Sequence, residues 1–470
     1  MNQLIKPYVL FINPPLQRII YKKVRPYVPY GLLYIATFLQ SNGIRSRVYN
    51  ADLEKPDNIQ NNKDEIWNEI KKVIETEKPD VVAIGVLTPQ HEYALKIASI
   101  VKSFDEKIPV ILGGVHATFV FEEMIRDVNV DFIVRNEGEE TTLELIQKLV
   151  ENSSFENING ITYIKNGDIV SNPIREPIKN LDAIPFPDRE LILDNNFYPK
   201  SEFGIIIPCR GCPFNCSFCS SFKYSKYRGR SAKNIVDEIE YIKEKYHIME
   251  FWMEGDNFFI NKRELIDFCK ELKDRKLKII WGSMARVDII DDNTVKEMKS
   301  SGLCNISLGI ESGSQEILNV INKRITVDQI KKAVKILKKR GIFVNTYWMV
   351  GFYEETPDSI NQTKNLIKKI KPHLVRTFIM TPFPGSEEFI KAKKMNSLNS
   401  NKWTDFHVRN PYLLKRPYIS NKIIDKEFNG FFYDLAKKEV KSWMIYLITH
   451  PRCLLRKIIE FVYSIKYKSS

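Results

Sequence analysis

No stretch of this 470-residue chain reaches the roughly 18 consecutive apolar residues that a membrane-spanning helix needs. The first apolar run begins at Tyr8 and stops at Pro14-Pro15, unlike a secretory leader. Cysteine is scarce and odd in number. There are seven, four of them within residues 209–219 and the others isolated at Cys269, Cys304 and Cys453, which excludes the disulfide framework of a small secreted protein. A reducing cytoplasm is the compartment these absences predict. Acidic residues are scarce in one place only. The formal charge is +13, and residues 391–470 hold seventeen Lys and Arg against six acids, so the preceding body is near neutral. Nucleic-acid binding therefore has no basic body to rest on. What the chain does have is 43% apolar residues, enough for two or three cored domains.

Residues 1–150 alternate β-rich apolar runs, starting at Tyr8, Arg47, Val81, Val110 and Phe132, with helical periodicity at 30–42, from Asp64 and from His91. This pattern predicts an α/β fold with a doubly wound parallel sheet. Ligands of such sheets bind beyond the carboxyl ends of the strands. Those ends carry Asn13-Pro14-Pro15, Leu87-Thr88-Pro89, Gly113-Gly114-Val115-His116 and Asn136-Glu137-Gly138-Glu139. Residues 151–203 read as a connector containing a hairpin around Asn166-Gly167. From 204 to 390, six strands starting at Gly204, Glu250, Lys278, Asn305, Ile342 and Leu374 alternate with helices such as 231–245 and 326–340, predicting a partial (β/α)6 barrel. Its chemistry belongs at the carboxyl ends of the strands, where Glu254, Arg286 and Glu311 stand.

Directly after the first of these strands comes Cys209-Arg210-Gly211-Cys212-Pro213-Phe214-Asn215-Cys216-Ser217-Phe218-Cys219. Structural zinc takes two separated Cys pairs, and ferredoxin clusters use a different spacing followed by Pro. The inner triplet Cys212, Cys216 and Cys219 instead suits a four-iron cluster with one iron left open, leaving Cys209 a bystander. A zinc-stabilised nucleic-acid-binding protein is the different-class alternative.

The triplet and its flanks resemble the signature of radical S-adenosylmethionine (SAM) enzymes. Gly113-Gly114-Val115-His116-Ala117-Thr118, Gly255-Asp256-Asn257-Phe258 and Gly309-Ile310-Glu311-Ser312-Gly313 make the chain similar to the cobalamin-binding branch of that superfamily. The resemblance implies a [4Fe-4S] cluster held by the three cysteines, which reductively cleaves SAM to a 5′-deoxyadenosyl radical. It further implies methylation of an unactivated carbon through cobalamin, or radical cyclisation with the same cofactors. Phe218 would pack beside the adenine of SAM, Glu254 or Asp256 would meet its amino group, Glu311 its ribose and Arg286 its carboxylate. Asn13, Pro14, Thr88, Gly113, Gly114, His116, Gly138 and Glu139 would cradle cobalamin. His116 is the one candidate for a lower cobalt ligand, although no D-x-H-x-x-G motif accompanies it. The substrate would be a small molecule, a lipid or another secondary metabolite, and the reductant a ferredoxin or flavodoxin.

Three features depart from the family, the first being Gly255-Asp256 after Glu254 where paired acids usually precede Asn-Phe. Gly351-Phe352-Tyr353-Glu354-Glu355-Thr356 stands where Gly-x-Pro-Gly-Glu-Thr is usual, and Cys209 where Ser is usual. The absence of cysteine before Cys209 argues against a methylthiotransferase, and the single cysteine after Cys304 against an auxiliary cluster. The helical C-terminal segment, 391–470, is basic and, from Phe431, amphipathic with Trp and Tyr. It reads either as a helix covering the barrel or as a peripheral anchor on the inner face of the membrane.

Overall fold

Tyr8–Asn13 (β1) is apolar up to its final Asn13 and every residue of it is buried, as expected of an interior strand covered by helices on both faces. The computed structural model describes residues 7–21, 26–53, 63–221 and 226–432. Around β1 lie β2 (Arg45–Asn50), β3 (Val81–Gly85), β4 (Val110–Gly113) and β5 (Phe132–Val134), with helices α1 (Tyr30–Ser41), α2 (Lys63–Glu77), α3 (His91–Phe104) and α4 (Glu139–Glu151). These five strands are parallel, in the order β2-β1-β3-β4-β5. The order reverses between β1 and β3, which defines the crevice where open α/β sheets receive ligands.

The hairpin foreseen in the connector does not stand apart. Its strands β6 (Ile161–Lys165) and β7 (Asp168–Ser171) extend the sheet antiparallel from β5, with Val134 opposite Ile161. The rest of the connector is tied to the same unit, since Asn50 Nδ2 donates to Tyr198 Oη at 3.0 Å and Asp188 N to Thr37 Oγ1 at 2.9 Å. The first unit accordingly comprises Met1–Phe203 together with Lys402–Thr404, and the second Gly204–Asn401 with Asp405–Ser470.

The second unit is a six-stranded, all-parallel sheet in the order β13-β12-β11-β10-β9-β8. Its strands are β8 (Ile205–Ile206), β9 (Glu250–Met253), β10 (Ile280–Arg286), β11 (Leu303–Glu311), β12 (Phe343–Val350) and β13 (Leu374–Ile379). Each is followed by a helix: α5 (Ala232–Tyr246), α6 (Lys262–Asp274), α7 (Asp292–Ser300), α8 (Val327–Lys339), α9 (Pro357–Ile370) and α10 (Glu387–Lys394). Local chemistry sets these boundaries. Thr326 and Gln329 form a reciprocal capping box at the start of α8, which then buries Ile330, Ala333, Val334 and Leu337 along one stripe. The sheet stays open, with β8 and β13 as its two edges. Among the described residues no helix is long and apolar enough to cross a membrane. The amphipathic tail lies outside the described residues from position 433 onward, Cys453 included.

Candidate functional site

The cysteine loop leaves β8 at the carboxyl end of the second sheet. Its four thiols part company. Cys209 pairs with Gly229 in a short antiparallel ribbon and is 1% exposed. Its sulfur packs on Gly255 so closely that a Cβ there would lie 2.9 Å away, and burial pushes the thiol up to about 12. Cys212 and Cys219 are half-buried, and Cys216 is buried. Among the described residues no three His, Cys, Asp or Glu side chains converge on a single metal ion.

Residues from other elements hold the loop in shape. Asp256, after β9, accepts the Gly211 N–H at 2.8 Å through Oδ2 and the Ser221 hydroxyl at 3.0 Å through Oδ1, stapling the loop's two ends. Both of its oxygens thus face the loop. Glu254 is exposed, with Oε2 accepting from Trp252 Nε1. Arg286, at the end of β10, is turned onto the loop as well. Its guanidinium lies 3.7 Å over the Phe214 ring, its Nη1 is 3.9 Å from Cys216 Sγ, and its remaining donors go to Asp288 and to the Lys323 carbonyl at 2.7 Å. Burial raises the Cys216 thiol on balance, and the Lys323 and Arg286 charges offset only part of that rise.

Glu311 closes β11 with φ +70, where the register with β12 slips. A non-glycine residue in this region at the end of a barrel strand is strained, and such strain collects at functional sites. Its carboxylate pairs with Lys323 Nζ at 2.7 Å, both side chains being about nine-tenths buried. Lys323 also stands 5.8 Å from the Phe218 ring, which packs against Phe352 at 6.2 Å. The sequence offered no signal for Lys323, which sits on a turn twelve residues beyond Glu311.

In the first unit the predicted cradle residues separate into two kinds. Gly113 and Gly114 present bare backbone beyond β4. Gly114 is exposed, with φ +98, and a Cβ there would come within 3.0 Å of the Val86 backbone, so no other residue fits. Asn13, Pro14, Thr88, Gly138 and Glu139 are instead buried. Asn13 donates to Asn50 Oδ1 at 2.8 Å and to Tyr27 Oη at 2.9 Å, while Pro14 O accepts from Gln90 Nε2 at 2.7 Å. Ile35 Cδ1 would lie 2.5 Å from a Cβ at Gly138, so that glycine serves helix packing against α1.

His116 is fully buried. Its Nε2 lies 2.9 Å from His91 Nδ1, the Trp403 ring stands edge-on at 4.9 Å, and its Nδ1 has no hydrogen-bond partner. Burial and then His91 push its imidazole down to about 3. Trp403, which the sequence did not single out, donates through Nε1 to Glu123 at 2.7 Å. Neither nitrogen of His116 reaches a surface in this arrangement.

Comparison with known proteins bears on both sites. Residues 22–146 match the B12 binding domain and residues 206–367 the Radical SAM superfamily. Over 432 residues the chain is 31% identical to an uncharacterized methyltransferase of Pyrococcus horikoshii, covering 90% of this chain and 92% of that protein. The chain belongs to the cobalamin-dependent radical SAM superfamily. It is a radical SAM enzyme whose cofactors are a [4Fe-4S] cluster, SAM and cobalamin. Another member, the anaerobic magnesium-protoporphyrin IX monomethyl ester cyclase of Rubrivivax gelatinosus, is 31% identical over 392 residues, covering 81% of this chain and 69% of that protein. Among solved structures, the methyltransferase TsrM from Kitasatospora setae superposes with TM-score 0.71 at 16% identity over 90% of this chain and 83% of its own. The cobalamin-dependent radical enzyme OxsB superposes with TM-score 0.73 at 17% identity over 98% and 72%. The fold is shared with both. The zinc-stabilised nucleic-acid-binding alternative falls with this membership.

Proposed function

We propose that this radical SAM enzyme transfers a methyl group from SAM to an unactivated carbon of a small-molecule or lipid substrate. The observation that carries the reading is the division of the cysteine loop, with Cys212 and Cys219 half-buried, Cys216 buried beside the Arg286 guanidinium, and Cys209 packed away against Gly255. When bound, the cofactors supply the radical and the transferable methyl group. Cys212, Cys216 and Cys219 hold the cluster, and Arg286 and Asp256 fix the loop that presents them. Arg286 and Lys323 are the cations beside the loop for the carboxylate of SAM, each already holding a protein carboxylate, Asp288 and Glu311 respectively. Glu254, exposed beyond β9, receives the amino group and Glu311 the ribose, with Phe218 beside the adenine. In the first unit the bare backbone of Gly113 and Gly114 receives cobalamin. Asn13, Pro14, Thr88, His116, Gly138 and Glu139 support that surface from beneath.

A second reading is favoured by the cyclase of Rubrivivax gelatinosus: ring or carbon–carbon bond formation without methyl transfer. One assay separates the two. Anaerobically prepared protein, supplied with SAM, a one-electron reductant and candidate substrates, yields S-adenosylhomocysteine alongside 5′-deoxyadenosine if it methylates. The cyclase reading yields 5′-deoxyadenosine alone. A colourless protein that binds zinc and leaves SAM intact overturns both.

A further inference from the structure

Ser217 lies between two of the cluster cysteines and is 5% exposed. Its amide donates to Ile321 O at 3.0 Å, its carbonyl accepts the Glu388 N–H at 3.1 Å, and its hydroxyl donates to Glu388 Oε1 at 2.7 Å. Glu388 belongs to the first turn of α10 and is 4% exposed. Ser386 caps that helix by accepting the Phe389 N–H at 3.1 Å. The two bonded partners come from opposite ends of the barrel. Ser217 follows β8 and Glu388 follows β13, the two edge strands that no ladder joins. The reciprocal Ser217–Glu388 pair therefore bridges the open side of the sheet. Apolar packing reinforces it, because Phe218 packs on a buried cluster that includes Phe352, Met380 and Ala392, the last on α10 itself.

A buried carboxylate that takes a hydroxyl and returns a backbone bond to the same residue fixes that residue's position tightly, and charged hydrogen bonds of this kind are the strong ones. Cys216 precedes Ser217 and Cys219 follows it by two, so whatever places Ser217 places both thiols. We infer that Glu388 is a positioning residue for the iron–sulfur cluster, locking the cysteine loop to the last barrel helix so that Cys216 and Cys219 are held at fixed separation. The inference rests on the radical SAM reading of the loop. Residues beyond the ligand set that orient ligands commonly govern metal affinity by about 10-fold to 100-fold. Hydrogen bonds, charge and solvent access about the sulfurs also set the cluster's potential.

The test uses the full-length protein, anaerobically loaded with iron and sulfide, and follows iron release to a chelator together with the electron paramagnetic resonance signal of the reduced cluster with and without SAM. Glu388→Ala is expected to release iron about 10-fold faster than wild type and to alter the change in signal that SAM produces. Glu388→Gln, which keeps an acceptor oxygen and the backbone bond, is expected to restore both. Ser217→Ala removes only the hydroxyl and is expected to move both readouts in the direction of Glu388→Ala. It decides the matter if Glu388→Ala fails to fold. Wild-type release and signal in the Ala variants overturn the inference, as does equal impairment of Glu388→Gln and Glu388→Ala. Wild-type protein that takes up no cluster at all would instead overturn the radical SAM reading of the loop.

Discussion

At the scale of single residues, Cys209 shows why four neighbouring thiols do not make one site. Its side chain is 1% exposed and packs on Gly255, so no iron can reach its sulfur without displacing that contact. Cys209→Ser is accordingly expected to leave about four irons per chain and unchanged SAM cleavage, measured by iron assay and 5′-deoxyadenosine formation. Burying a hydroxyl in its place costs roughly 1–3 kcal/mol, seen as a lower melting temperature. Cys216→Ser is expected to lose cluster and cleavage together; equal iron loss in the two variants would return Cys209 to the ligand set. The triplet was legible in the sequence because its spacing is local. Arg286 was legible as a strand-end charge, but its orientation was not, since that depends on Phe214, Asp288 and Lys323 meeting in three dimensions.

At the scale of elements, boundaries were legible wherever a cap or turn announces itself, as at Ser231 before α5, Thr326 before α8 and Asn166-Gly167 in the hairpin. Long-range pairing was not. Nothing local says that β6 adds to β5, or that Trp403 returns to His91 and His116. The loop from Gly351 to Thr356 lies between these cases. Its departure from the family pattern is accommodated by Glu355, which is buried and accepts the Gly351 N–H at 2.6 Å, the Phe352 N–H at 3.4 Å and the Ser359 hydroxyl at 3.2 Å. Arg416 Nε secures the Gly351 carbonyl at 2.6 Å, where φ is +90. Burial raises the Glu355 carboxyl from its ordinary 4.5 to about 7. Between those values the folded chain keeps a proton that the unfolded chain has released. The residue's contribution to stability is therefore full below pH 4.5 and declines as pH rises toward 7, by up to about 1.4 kcal/mol per pH unit. Glu355→Gln cannot titrate. Urea midpoints at pH about 5 and about 8 should show wild type losing on the order of 2 kcal/mol relative to the variant across that interval; parallel profiles would place the titration elsewhere.

At the scale of the whole molecule, the positive charge is unevenly placed, and this unevenness makes a prediction independent of the two sites. Positions 433–470 carry eight Lys and Arg against three acids, interleaved with Trp443, Tyr446, Leu447, Ile448, Leu454, Leu455, Ile458, Ile459, Phe461 and Tyr463. Apolar and basic residues mixed in this way bind anionic bilayers at about 1 kcal/mol per cation near the surface, an attraction that salt screens. The preceding residues 1–432 carry the remaining +8, six of it at 391–432, so apolar residues interleaved with the charge, rather than charge alone, distinguish the tail. We propose that the tail brings the enzyme to an anionic membrane surface, where a lipid substrate is reached. Full-length protein is expected to float with vesicles rich in phosphatidylglycerol and to leave them at high salt, whereas a version ending at Phe432 should stay at the bottom of the gradient. A tail that instead covers the barrel predicts the reverse set of results: equal flotation of both versions, or none, with the shortened protein unfolding at a lower temperature because apolar surface has been uncovered.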